Sequence, residues 1–207
     1  MAARASRAPP PAIPLKSAMR IIAIDFEASC LPRHGQSFPI EVGISEDGRT
    51  ARSWLIRPTP SWREWDWTTE AERLHGLSRT HLERDGLPAR DVAQALAAAV
   101  GDAYLVSDSP IDHDWLRTLC EAAGMPIFTH VHTVGELFDA RGLASGPILD
   151  AVARVEGLGL RRHRAGDDAR WLAAVLAELG VVTPAEPPLF AWGQSAPAEA
   201  PATALAA

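Results

Sequence analysis

The sequence predicts an α/β fold: a mixed five-stranded sheet with an antiparallel three-strand meander and flanking helices. Three observations carry this. Strand-like segments crowd the first third of the chain, helical periodicity dominates the remainder, and two further strand-like segments alternate with helices between them. Helix, strand, helix, strand, helix implies parallel pairing beside the meander.

Taken in order, Arg20 to Phe26 is a β-branched apolar run and reads as a buried strand. Phe38 to Ser45 and Ala51 to Ile56 are the second and third strands, with Asp47-Gly48 supplying the hairpin turn. Thr68 to Leu74 is a short helix stopped by Gly76. Ala89 to Val100 is a stronger one, with Val92, Leu96 and Val100 on one face. Ala103 to Val106 is the fourth strand. The helix after it runs from Pro110 to Ala123, with Ser109 as N-cap, Pro110 as first helical residue and Gly124 as stop. Ile127 to His132 is the fifth strand, and helices follow over Val134 to Ala140, Ile148 to Glu156 and Asp167 to Leu179.

Composition limits the alternatives. A chain of 207 residues, 47% hydrophobic, supports one core. Residues 1–18, rich in Ala, Arg and Pro and free of acids, read as a disordered extension, with Met19 an alternative start. From Thr183 to 207 the chain is again Pro- and Ala-rich, and only Leu189 to Trp192 offers anything to dock. The working domain is therefore expected over 19–182. Cys30 and Cys120 make neither a disulfide framework nor a metal-ligand spacing, which favours a reducing, cytoplasmic setting. No run approaches the roughly 18 apolar residues of a membrane helix, so no membrane partner is expected. A net charge of −6 argues against sequence-blind wrapping of duplex nucleic acid.

Chemistry enters at the end of the first strand. Asp25 and Glu27 are spaced i and i+2, so both carboxylates leave the same face. Like charges so placed repel unless a cation sits between them, and oxygen ligands suit Mg²⁺ or Mn²⁺, which commonly act on phosphate esters. A solvated strand edge is the plainer reading of this short pattern alone. Asp112 lies in the first turn of the helix after strand four. It reads either as a capping-box acid or as a third ligand, and Trp115 and Leu116 at i+3 and i+4 turn its face toward the sheet in preference to Asp114. Near the last helix, His163 and Asp168 are separated by four residues. Acids in a first turn also simply favour the helix dipole.

Together these residues resemble the DEDDh 3′-to-5′ exonucleases, the superfamily that includes RNase T, oligoribonuclease and the proofreading subunits of bacterial replicases. The first motif matches as Asp25-Phe26-Glu27, the second as Asp112, and the third as His163 with Asp168. Asp-Phe-Glu-Ala-Ser and Ser-Asp-Ser-Pro are similar to a bacterial exoribonuclease branch, and Pro39-Ile-Glu41-Val-Gly43 and His75-Gly76-Leu77 are softer echoes. One departure is visible: many members carry His-Asn-Ala-x-Phe-Asp in the second motif, whereas Asp108-Ser-Pro-Ile-Asp112 is shorter and lacks the Phe.

The resemblance implies an RNase H-like fold, two Mg²⁺ or Mn²⁺ ions held by Asp25, Glu27, Asp112 and Asp168, and His163 as general base. An imidazole exchanges protons near neutral pH, which suits that role. It also implies release of nucleoside monophosphates from the 3′ end of single-stranded RNA or DNA, with RNA or short oligonucleotides preferred, and a homodimer as the common assembly. Phe26, Ala28, Ser29, Leu31 and His75 would meet the terminal nucleotide. Leu31 reads equally as a stacking or a packing residue, and Asp108 as a substrate-binding group or a helix cap. Trp62, Trp65 and Trp67 offer either base-stacking surfaces or ordinary loop packing. Arg161, Arg162 and Arg164 beside His163 read either as receivers of backbone phosphate or as ordinary exposed arginines on the approach to a helix. The rivals are a DNA proofreading or repair exonuclease, an RNase H-like endonuclease, and a catalytically inactive nucleic-acid-binding module.

Overall fold

The first strand, β1 (Ile21–Ala28), is covered on both faces, which is why it is an almost unbroken apolar run rather than an alternating one. In the computed structural model, residues 19–157, 159–160 and 162–182 are described; the expected extension, the tail and Arg161 lie outside them. β1 is the middle strand of a sheet ordered β3-β2-β1-β4-β5, with β2 (Pro39–Ser45), β3 (Arg52–Leu55), β4 (Tyr104–Ser107) and β5 (Val131–Thr133). β1, β2 and β3 form the antiparallel meander, and β4 and β5 run parallel to β1.

The seven helices are α1 (Thr69–His75), α2 (Arg79–Asp85), α3 (Ala89–Val100), α4 (Asp112–Ala123), α5 (Val134–Arg141), α6 (Ser145–Glu156) and α7 (Ala165–Glu178) among the described residues. α3 and α4 cover one face of the sheet and α5 and α7 the other. Ile22, Ile24 and Phe26 of β1 pack with Val92 and Leu96 of α3 and with Trp115, Leu116 and Leu119 of α4. Ile21 and Ala23 pack instead with Leu137 of α5 and Leu172, Ala173 and Leu176 of α7. The two-residue period of the strand therefore gives odd-numbered positions to α7, and Asp25 and Glu27 continue that row beyond the last apolar member. Among the described residues no helix is long and apolar enough to cross a membrane.

Several expected elements differ from those observed. The fifth strand is only Val131–Thr133, not 127–132, because β4 is four residues long and pairs through Leu105 to Ser107 only. Thr133 then ends the strand by capping α5, its side chain accepting from Glu136 N–H in a full capping box. α2 has no counterpart in the sequence reading: Leu82 is its one buried residue, so no apolar period betrays it, although Ser78 caps it through His81 N–H. α4 starts at Asp112 rather than Pro110, and Ser109 is not its N-cap; Ile111 holds that position without a side-chain cap.

Candidate active site

Four elements meet at the C-terminal end of β1 around a cleft of about 340 Å³. β1 contributes Asp25, Phe26, Glu27 and Ala28; the β4–α4 connection contributes Asp108 and Ser109; α4 contributes Asp112 and Trp115; α7 and the loop before it contribute Asp168, His163 and Arg162. A further wall is α1, with Ala71, Leu74 and His75, and Cys30 and Leu31 close the rim. Asp25, Glu27, Asp112, Asp168 and His163 are thus brought together from 144 residues of chain, counting from 25 to 168.

Asp112 is fully buried, with Oδ2 accepting from Ser107 Oγ at 2.5 Å and Oδ1 left without a hydrogen-bond partner. This removes the capping-box reading, since the carboxylate is turned from the helix end toward the cleft. Asp114, by contrast, pairs with Arg117 at 3.1 Å on the surface. Asp108 lines the cleft rather than supplying the α4 cap.

A network set across the meander positions Asp168. Glu41 lies opposite Glu27 in the β1–β2 register, a like-charge pair that would be unfavourable alone. Arg164 offsets it with a bidentate fork, Nε to Oε2 at 2.9 Å and Nη2 to Oε1 at 2.8 Å, and Ala165 N–H donates to Oε2 at 3.2 Å. The first amide of α7, whose own N-cap has no side-chain acceptor, is therefore capped from β2. Opposite Asp25 stands Gly43, where a Cβ would lie 2.2 Å from Ala165 C and 2.4 Å from Gly166 N. The glycine is what lets α7 approach the sheet closely enough to place Asp168 beside β1. The loop before α7 is also tied down: His163 sits at φ 63°, a region His enters more readily than most residues, and its N–H donates to Asp168 Oδ2 at 2.7 Å.

Electrostatics follow from this crowding. Burial, reinforced by Asp112, Glu27 and Asp168, holds Asp25 well above the usual carboxylate range. Burial, with Asp168 and Glu41 adding and Arg164 opposing, pushes Glu27 up to about 8. Asp108 is raised by burial and by Asp168, with Arg162 opposing. Asp112 is raised by burial, and the Ser107 hydrogen bond opposes. A cluster of carboxyls that must hold protons in its own company is a cluster that a divalent cation would relieve. The residues fit such an ion: Glu27, His163 and Asp168 each offer a ligand atom, all within 4.8 Å of one another, and the unpartnered Asp112 Oδ1 is a further oxygen donor.

Of the remaining expected contacts, Phe26, Ala28, Leu31 and His75 line the cleft, and Leu31 is 37% exposed. Ser29 does not line it; its Oγ accepts from Phe38 N–H and its side chain is fully buried, so it fastens the strand end instead. Trp62 stacks on Phe38 with centroids 5.2 Å apart, and Trp65 and Trp67 pack against the same core, so the three are structural. The sequence reading misses Leu74 and Ala71 on the cleft wall, and Leu74, 53% exposed, shows its place only in the fold.

No protein-family model and no curated protein matches this chain. Solved structures do. Exonuclease I from Methylocaldum szegediense matches with TM-score 0.55 at 14% identity, over 76% of this chain and 40% of that one. E. coli exonuclease I in complex with a dA16 oligonucleotide matches with TM-score 0.57 at 10% identity, again over 76% and 40%. A further exonuclease I structure matches with TM-score 0.54 at 8% identity, over 79% and 41%. The chain spans about 40% of the length of these exonuclease I chains. At such identities the likeness is one of fold, and the chain has the mixed five-stranded, RNase H-like α/β architecture that it shares with the exonuclease I structures.

Proposed function

We propose that this chain is a divalent-metal-dependent exonuclease that releases nucleoside monophosphates from the 3′ end of single-stranded nucleic acid. The observation that carries the reading is the convergence of four carboxylates and one imidazole on one cleft, with burial and mutual repulsion raising the pKa values of Asp25, Glu27 and Asp112. Asp25, Glu27, Asp112 and Asp168 would hold two Mg²⁺ or Mn²⁺, which when bound supply a water nucleophilic near neutral pH and screen the charge of the transition state.

The protein's own groups do the rest. The His163 imidazole takes the proton of the attacking water, and the Asp168 hydrogen bond to its backbone fixes where that imidazole starts. Phe26, Ala28, Leu31 and Leu74 form an apolar wall against the terminal nucleoside, in a cleft sized for about one nucleotide. His75 Nδ1 accepts from Leu77 N–H at 3.0 Å, so Nε2 carries the ring proton and presents a donor at the cleft wall. Burial lowers the His75 pKa to about 4, which keeps this donor uncharged at working pH.

Single-stranded DNA replaces RNA as the first substrate, because the E. coli exonuclease I structures of this fold hold dA16 and dT13 oligonucleotides. The test incubates 5′-labelled DNA and RNA strands of one sequence with the protein in Mg²⁺, Mn²⁺ or chelator. A metal-dependent ladder shortening from the 3′ end is expected. Internal cuts would support the endonuclease instead, and binding without cleavage the inactive module. Sedimentation of the same preparation reads the homodimer expected from the resemblance.

A further inference from the structure

Arg162 occupies an unusual place. Its Nε lies 2.6 Å from Asp168 Oδ1, at a side chain only 11% exposed, while Oδ2 of the same carboxylate already accepts from His163 N–H. Asp168 Oδ1 therefore faces the guanidinium as an ion pair without a hydrogen bond, while Oδ2 takes a hydrogen bond, both from the chain itself. The guanidinium is held there from behind: its carbon sits 4.6 Å above the Trp171 ring, and Nη1 is 3.7 Å from Glu156 Oε1. It also lines the cleft, where its charge opposes the rise that burial and Asp168 impose on Asp108.

An ion bound through Asp168 Oδ1 would share that oxygen with the Arg162 guanidinium 2.6 Å away, and the two cations repel one another at that range. We infer that Arg162 is an internal counter-cation: it neutralises Asp168 in the metal-free protein, is displaced when a divalent ion binds, and then offers its fork to a phosphate oxygen of the substrate. The inference rests on the proposed metal-dependent reading of this cleft. It adds a positioning residue that couples ion and substrate loading, since an arginine released by one anion is free for the next. The Trp171 ring gives the side chain a perch on the rim of the cleft.

The test is calorimetric titration of Mn²⁺ into wild type, Arg162→Gln and Arg162→Lys, followed by titration of a deoxynucleoside 5′-monophosphate into each metal-saturated protein. Arg162 is 43% exposed, so these variants fold, which circular dichroism checks. Removing a competing partner of this exposure should tighten Mn²⁺ binding by about fivefold in Arg162→Gln, and Arg162→Lys, which keeps the charge, should fall between it and wild type. The nucleotide should bind Arg162→Gln about fivefold more weakly. In chelator the melting temperature of Arg162→Gln should drop, and in saturating Mn²⁺ it should equal that of wild type. Unchanged or weaker Mn²⁺ binding by Arg162→Gln, with wild type binding normally, overturns the inference and leaves the exonuclease reading standing. Unchanged nucleotide binding overturns the phosphate hand-over. No uptake of Mn²⁺ by wild type overturns the metal-dependent reading, and this inference with it.

Discussion

Replacing Arg164 with Met should damage this protein more than replacing its partner Glu41 with Gln, although the same ion pair is broken. The reason lies in what each change strands. Glu41 is 2% exposed and Arg164 28% exposed as side chains, so Arg164→Met leaves a carboxylate sealed beside Glu27 with no cation, while Glu41→Gln leaves a guanidinium that can turn to water. Breaking a buried pair from one side costs about 3–5 kcal/mol, and the partial exposure of Arg164 puts this case near the lower bound, about 3 kcal/mol. Glu41→Gln keeps a side-chain amide oxygen that can accept from Ala165 N–H, so it should cost about 1.5 kcal/mol. For a chain of this size each kcal/mol lowers the melting temperature by about 2–4 °C, which predicts falls of roughly 6–12 °C and 3–6 °C. Scanning calorimetry of both variants and of the double variant measures this. The fall in melting temperature of the double variant should be well under the sum of the two single falls, because the stranded charge has gone. Equal losses, or strict additivity, would refute the claim that the pair holds the first turn of α7 against β2.

Three further outcomes follow from the same geometry. Gly43→Ala puts a methyl against the backbone of Ala165 and Gly166, so it should cost about 1–3 kcal/mol and cut 3′-end cleavage by roughly tenfold or more through displacement of Asp168; a crystal structure of the variant would locate the shift. Asp112→Asn should abolish cleavage while Asp114→Asn, whose carboxylate pairs with Arg117 on the surface, should retain it, as read by steady-state rates on a labelled strand. In chelator, stability should be fullest below about pH 4.5 and decline as pH rises through about 8, because the folded protein holds the Glu27 proton that the unfolded chain releases. Mn²⁺ takes the place of that proton, so its affinity should rise over the same interval, and denaturant titrations with and without the ion test both signs.

How much of this is legible in the sequence depends on the range of the interaction. β1 is plain because an apolar β-branched run needs no partner to be recognised, and the i, i+2 acids at its end follow from strand geometry alone. α7 is equally plain, its buried Leu172, Val175 and Leu176 repeating at helical spacing. α2 is invisible, since one buried leucine in seven residues gives no period. The start of α4 is misread because Ser109-Pro110 has the local chemistry of a helix start, while Ser107, at the end of β4, takes the Asp112 carboxylate for itself. Ser29 reads as a nucleotide contact from its neighbours in the chain, yet its hydroxyl serves the Phe38 amide nine residues away. The Glu41–Arg164 fork spans 123 residues, and no local pattern announces a pair that only the sheet register brings together.

Anomalous diffraction from crystals soaked in Mn²⁺ reaches the centre of the account in a single measurement. Two peaks bounded by Asp25, Glu27, Asp112 and Asp168 are expected, both lost in Asp25→Asn crystals. Peaks confined to other surfaces, or none in a well-soaked crystal with the cleft open to solvent, would contradict it.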